Sequence, residues 1–86
     1  MIIKGATCDI LTAEQESVSK GIMMGRWSVS SLDKYTKMQT IIRGNCSEEE
    51  AEELLVDIRA AIEDNKTNPR TTPFDAVGWK CKKRRG

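Results

Sequence analysis

"CSEEEAEELLVDIRAAIEDN", residues Cys46 to Asn65, is the stretch on which the fold turns. Ser47 is a favourable helix N-cap, and Glu50 three residues on completes a capping box. Cys46, just before the cap, is placed to pack on Ala51 as a hydrophobic staple would. Ala51, Leu54, Leu55, Ile58, Ala61 and Ile62 then recur at helical spacing on one face. Glu48, Glu49 and Glu50 occupy the first turn, where negative charge complements the helix dipole. Asn65 and, further on, Pro69 supply the stop. The pattern predicts a helix over about residues 48–64.

Working upstream, "KYTKMQTIIRGN" (residues 34–45) alternates as a strand does. Met38, Thr40 and Ile42 fall on one face, Lys37, Gln39, Ile41 and Arg43 on the other, with Gly44-Asn45 as the turn into the helix. "GRWSVSS" (residues 25–31) places Trp27 and Val29 at alternate positions, and "SLDK" closes a hairpin between the two runs. "IIKGATCDIL" (residues 2–11) reads as another strand, weakened by Gly5. "TAEQESVSKGIMMG" (residues 12–25) is ambiguous. Thr12 with Gln15 forms a second capping box and Val18 and Ile22 lie four apart, which favours a short helix near 13–24. Gly21 and Gly25 oppose it, and a strand ending in "IMMGRW" is the rival.

Downstream, residues 66–72 form a polar connector ending at Pro73. "FDAVGWKC" (residues 74–81) then offers Phe74, Val77 and Trp79 to anchor a last, short edge strand. The expected fold class is α+β: a small antiparallel sheet packed against one helix, burying Leu54, Ile58 and Ile62 against Met38 and Ile42. One domain covers residues 1–79, and residues 80–86 form a basic tail. The element order over about residues 25–64, a strand hairpin followed by a covering helix, is similar to the small three-stranded DNA-binding domains of phage integrases. That resemblance rests on order and spacing, without a diagnostic motif.

An 86-residue chain with 38% apolar residues has a thin core, so self-association or docking on a partner would add stability. Met23 and Met24, beside Trp27, are expected to fill that core; an adaptable contact surface is the alternative. The net charge of +1 conceals a separation. Residues 47–64 carry eight acids against Arg59, a net −7, whereas residues 65–86 carry seven bases against Asp75, a net +6.

These poles suggest two functions. In the first, a basic sheet face (Arg26, Lys37, Arg43) and the tail (Lys80, Lys82, Lys83, Arg84, Arg85) hold nucleic acid, with Trp79 stacking on an unpaired base. In the second, Glu49, Glu52, Glu53 and Asp57 form a nucleic-acid-like surface for a basic partner protein, as in small regulators or inhibitors from phages and mobile elements. The tail folding back on the acidic helix, neutralising it without any partner, is a third use of the same charges.

Catalysis finds little support. The chain has no histidine, which removes Ser-His and Cys-His pairs, and no Gly-rich phosphate loop is present. Cys8, Cys46 and Cys81 are odd in number and far apart, so neither a disulfide framework nor a Cys/His zinc site is expected. Cys46 sits where a helix N-terminus lowers a thiol pKa, in competition with its role as a buried staple. The expectation is a non-enzymatic binding protein with no metal or cofactor. No apolar run approaches a membrane span and no export signal opens the chain, which suggests the cytoplasm, with free thiols.

Overall fold

The computed structural model describes residues 1–69 and 72–81. In it the capping box is closed in both directions: Ser47 Oγ accepts from the Glu50 amide at 3.1 Å, and Glu50 Oε1 accepts from the Ser47 amide at 2.9 Å. The helix this starts, α1, runs Glu48–Thr67. It outlasts the expected end because Asn65 continues the turn, and the chain leaves at Asn68, whose amide still donates to the Asp64 carbonyl at 2.9 Å.

Three antiparallel strands lie under this helix in the order β3-β4-β5: β3 (Gln15–Met23), β4 (Arg26–Asp33) and β5 (Gln39–Cys46). The first of them corrects the helix considered near 13–24. A 3-10 turn, Thr12–Glu14, precedes it; Gln15 pairs with Asp33, the register shifts at Glu16, and from Ser17 the chain pairs residue by residue with β4, up to Met23 opposite Arg26. Val18 and Ile22 are four apart, a spacing that satisfies a two-residue period as well as a helical one. The long ladder with β4 supplies backbone partners that a short, glycine-interrupted helix could not.

Met24 and Gly25 make the two-residue turn between β3 and β4, with φ of 52° and 79°. Positive φ at both positions is the backbone that follows the twist of paired strands. The turn from β4 to β5 is built on Asp33, whose Oδ1 accepts from the amides of Tyr35 (2.8 Å) and Thr36 (2.9 Å). These two backbone bonds hold the Asp33 carboxyl below the ordinary aspartate range. Its folded-state pKa is depressed, so its contribution to stability is present above the unfolded value and disappears as pH falls through the folded one. The stability difference between wild type and Asp33→Asn is therefore expected to shrink below roughly pH 4. Urea unfolding at pH 7 and pH 3 measures it.

A second, smaller sheet has the order β2-β1-β6, from β1 (Ile2–Lys4), β2 (Asp9–Leu11) and β6 (Phe74–Asp75). The expected single strand over 2–11 is thus a tight hairpin split at Gly5. A Cβ on Gly5 would stand 2.8 Å from the Cys8 carbonyl oxygen and 3.4 Å from Ile42 Cα, so a side chain would push the hairpin off β5. The Ala6 amide joins the two sheets by donating to the Ile42 carbonyl at 2.7 Å. Of the segment expected to form an edge strand, only Phe74–Asp75 does so, and β6 pairs parallel with β1, which makes this small sheet mixed rather than antiparallel.

One buried cluster unites these parts: Ile3 and Ile10, Val18, Val29 and Ile42, and Ala51, Leu54, Leu55 and Ile58 of the helix. Ile42 takes its expected place. Met38 does not; it is 67% exposed beyond the end of β5, in the loop that Asp33 organises. Val77 is likewise exposed, leaving Phe74 and Trp79 as the anchors of the C-terminal segment. Gly44 and Asn45 belong to β5 rather than to a turn, Asn45 having a positive φ of 56°. The strand bends there, pairing Cys46 with Trp27 and feeding Ser47 directly into the helix cap.

Candidate protein-binding surface

Helix α1 turns its apolar stripe inward, which leaves Glu48, Glu49, Glu52, Val56, Arg59, Ala60, Glu63 and Asp64 exposed, with Arg59 donating to the Val18 carbonyl of β3 at 3.1 Å. Glu49, Glu52, Val56 and Glu63 are spaced three, four and seven apart, so they follow one outward line along a helix about 30 Å long. Near its N-terminus the row meets Lys20 of β3. The Lys20 ammonium lies 2.5 Å from Glu52 Oε1 and 5.2 Å from the centre of the Trp27 ring. Lys20, Glu48, Glu49, Glu52 and Glu53 surround a shallow depression of about 360 Å³. Lys66 lies 3.3 Å from Glu63 on the exposed side of the last turn.

The four acids expected to act together are separated by the fold. Glu49 and Glu52 face outward. Glu53 is buried, and its Oε2 accepts from the Cys81 thiol at 3.2 Å. Asp57 is half-buried and accepts from Trp79 Nε1 at 2.7 Å. The chain after β6 therefore runs over the flank of the helix and takes two carboxylates as structural partners. This places Trp79 and Cys81 against the acidic helix.

The basic candidates are dispersed in a similar way. Arg43 Nη1 donates to the carbonyls of Ala76 (3.1 Å), Val77 (3.3 Å) and Trp79, and its guanidinium carbon lies 5.8 Å from the centre of the Trp79 ring. It clasps the C-terminal segment to β5. Trp79, held by Arg43 and Asp57, serves as the core anchor. Arg26 donates to the side chain of Asn45 at 3.1 Å and to its carbonyl at 3.3 Å. Lys37 sits in the β4–β5 loop with φ of 61°, its ammonium 2.5 Å from Glu16. Lys80 is exposed. Lys82, Lys83, Arg84 and Arg85 lie outside the described residues.

The sheet face turned away from the helix does not gather these bases. By strand alternation it carries Ser17, Ser19 and Gly21 of β3 and Arg26, Ser28, Ser30 and Leu32 of β4. Ser28 Oγ donates to the Gly21 carbonyl at 3.4 Å, and Gln39 Nε2 donates to Ser30 Oγ at 2.7 Å. Ser28 and Ser30 are themselves buried, so the middle of this face is small, uncharged and packed.

Burial pushes the Cys46 thiol pKa up, with only partial relief from Arg43. Its staple role therefore prevails over activation at the helix N-terminus. None of Cys8, Cys46 and Cys81 forms a disulfide. Among the described residues no group of acids and thiols converges as a metal site would require, and no helix is long and apolar enough to cross a membrane.

No protein-family model, curated protein or solved structure matches the chain. Fold and surface define a small two-layer α+β domain with an acidic helix on one face. Its outward row was legible in part: Glu49 and Glu52 follow from helical spacing. The break at Val56, the resumption at Glu63 and the involvement of Lys20 needed the packed helix.

Proposed function

We propose that the protein is a non-enzymatic regulator or inhibitor that binds a basic partner protein through the outward face of its acidic helix. The carboxylates would stand in for a nucleic-acid backbone in a basic groove. One observation carries this reading. Glu48, Glu49, Glu52, Glu63 and Asp64 lie on the exposed side of the helix, Glu52 beside Lys20 and Glu63 beside Lys66, whereas Arg43 and Trp79 are drawn into the fold and the exposed Arg26 and Lys37 contact Asn45 and Glu16. Three cysteines held without a disulfide suit a reducing cytoplasm.

The test uses variants that leave internal contacts intact. Glu53 is unsuitable because it is buried against Cys81, so the reversals are Glu49→Lys and Glu63→Lys together. Immobilised wild type is expected to capture a basic protein from host lysate. The double reversal, with an unchanged circular dichroism spectrum, should weaken capture by roughly tenfold or more through like-charge repulsion. A random DNA duplex at low salt should not bind. Salt-sensitive duplex binding that disappears when residues 80–86 are removed, with the reversals having no effect, would overturn the proposal in favour of nucleic acid.

A further inference from the structure

The β3–β4 turn carries a residue that neither the turn nor the core explains. Met24 is 96% exposed and has φ of 52°, a region that Asn, Asp and Gly enter more readily than a side chain of this kind. Its neighbours continue the apolar tip: Ile22 is 67% exposed and Met23 47%. These methionines do not fill the core, contrary to their expected use. An adaptable thioether presented on a two-residue turn is a contact group. Met23, Met24, Arg26 and Asn45 also line a shallow groove of about 270 Å³.

The charges around this tip are arranged in opposite senses on the two faces of the sheet. Trp27 pairs with Cys46, and Ser47 starts the helix, so the helix N-terminus with Glu48 and Glu49 lies at the same end as the tip. Arg26 projects from the opposite face, using two of its N–H groups on Asn45. A two-fold axis in the sheet plane, perpendicular to the strands, brings two such ends together with their faces exchanged. Each Arg26 then approaches Glu48 of the partner subunit, while the methionines of both copies meet at the centre. An isologous contact needs this kind of self-complementarity: an apolar centre flanked by opposite charges that swap under the axis.

We propose that the protein forms a weak two-fold dimer through the Ile22–Met24 hairpin tip, with Arg26 paired to the acidic first turn of the second copy's helix. The patch is small, which places the dimer in the concentration-dependent class. Dimerisation leaves the outward row from Glu52 to Glu63 open and would present two acidic helices to a partner. It does not rest on the binding function proposed above, and its failure would leave that function standing.

Sedimentation velocity on the full chain, from about 10 μM to about 1 mM, should show reversible conversion of monomer to dimer. Met24→Asn should weaken the dimer by roughly tenfold or more, because a buried apolar side chain is lost. The same substitution should hold or raise the thermal midpoint, since Asn accepts positive φ. These opposite signs separate a contact residue from a structural one. Arg26→Glu should weaken dimerisation, and adding Glu48→Lys to it should restore it. A monomer throughout the range overturns the proposal, as does a dimer indifferent to Met24→Asn or a charge swap that fails to restore it.

Discussion

Leu54→Ala is expected to remove a large part of the protein's stability. Leu54 is fully buried in the cluster that contains Ile3, Val29, Ile42 and Ile58, where helix and both sheets meet. Truncating a leucine in such a place costs about 3–5 kcal/mol, the lost transfer energy plus the cavity left behind. A domain of this size has roughly 4–13 kcal/mol in total, so the variant retains little margin. Urea unfolding followed by far-UV circular dichroism should show a strongly lowered midpoint. Leu54→Met, which keeps most of the volume, should cost less than about 1.5 kcal/mol. Val56→Ala, on the exposed side of the same helix, should be nearly neutral. Equal losses at Leu54 and Val56 would mean that the helix packs on another face.

The second large effect is expected at Arg43. One guanidinium nitrogen serves the carbonyls of Ala76, Val77 and Trp79, and the charged plane lies near the Trp79 ring. Charge-assisted bonds of this kind contribute about 1.5–3 kcal/mol each when taken singly, though three acceptors sharing one nitrogen do not add. A loss of about 2–4 kcal/mol is expected for Arg43→Ala, because the partly buried stem also loses its packing. With the clasp gone, the Trp79–Asp57 bond and the short β1–β6 pairing lose their support. Amide exchange over residues 74–79 should therefore accelerate much more than over β4. Arg43→Lys should restore part of the protection, since an ammonium still donates but cannot match the planar guanidinium. Exchange unchanged in Arg43→Ala would return this residue to the pool of surface charges.

The two predictions bear on how much could be read in advance. Leu54 was legible, since an apolar stripe with a capped start is a local pattern that the helix itself enforces. In sequence, Arg43 reads as a polyanion contact, and Trp79 as either a base-stacking ring or the anchor of the last strand. Their partners lie 33 to 36 residues apart for Arg43 and 22 for Trp79, distances at which sequence carries no pairing signal. A similar argument covers Glu53 and Asp57. Helical spacing places them near the polar side, but the return of the chain through Trp79 and Cys81 turns that flank into an interior.

The segment 15–23 shows the same limit for secondary structure. Val18, Ile22 and two glycines permit either period locally, and pairing with β4 decides between them. Met24 is the reverse case: so small a chain needs its large apolar groups for the core, yet the turn geometry puts this one outside.

The capped helix, its apolar stripe, the division of charge and the α+β class are all legible in the residues alone. These depend on residues within a few positions of each other, where propensity, capping and periodicity act directly. Which of those charged groups the fold engages followed from packing at long range. That outcome depends on long-range hydrogen bonds, which draw Arg43, Glu53, Asp57 and Trp79 inward and leave Glu49, Glu52 and Glu63 facing water.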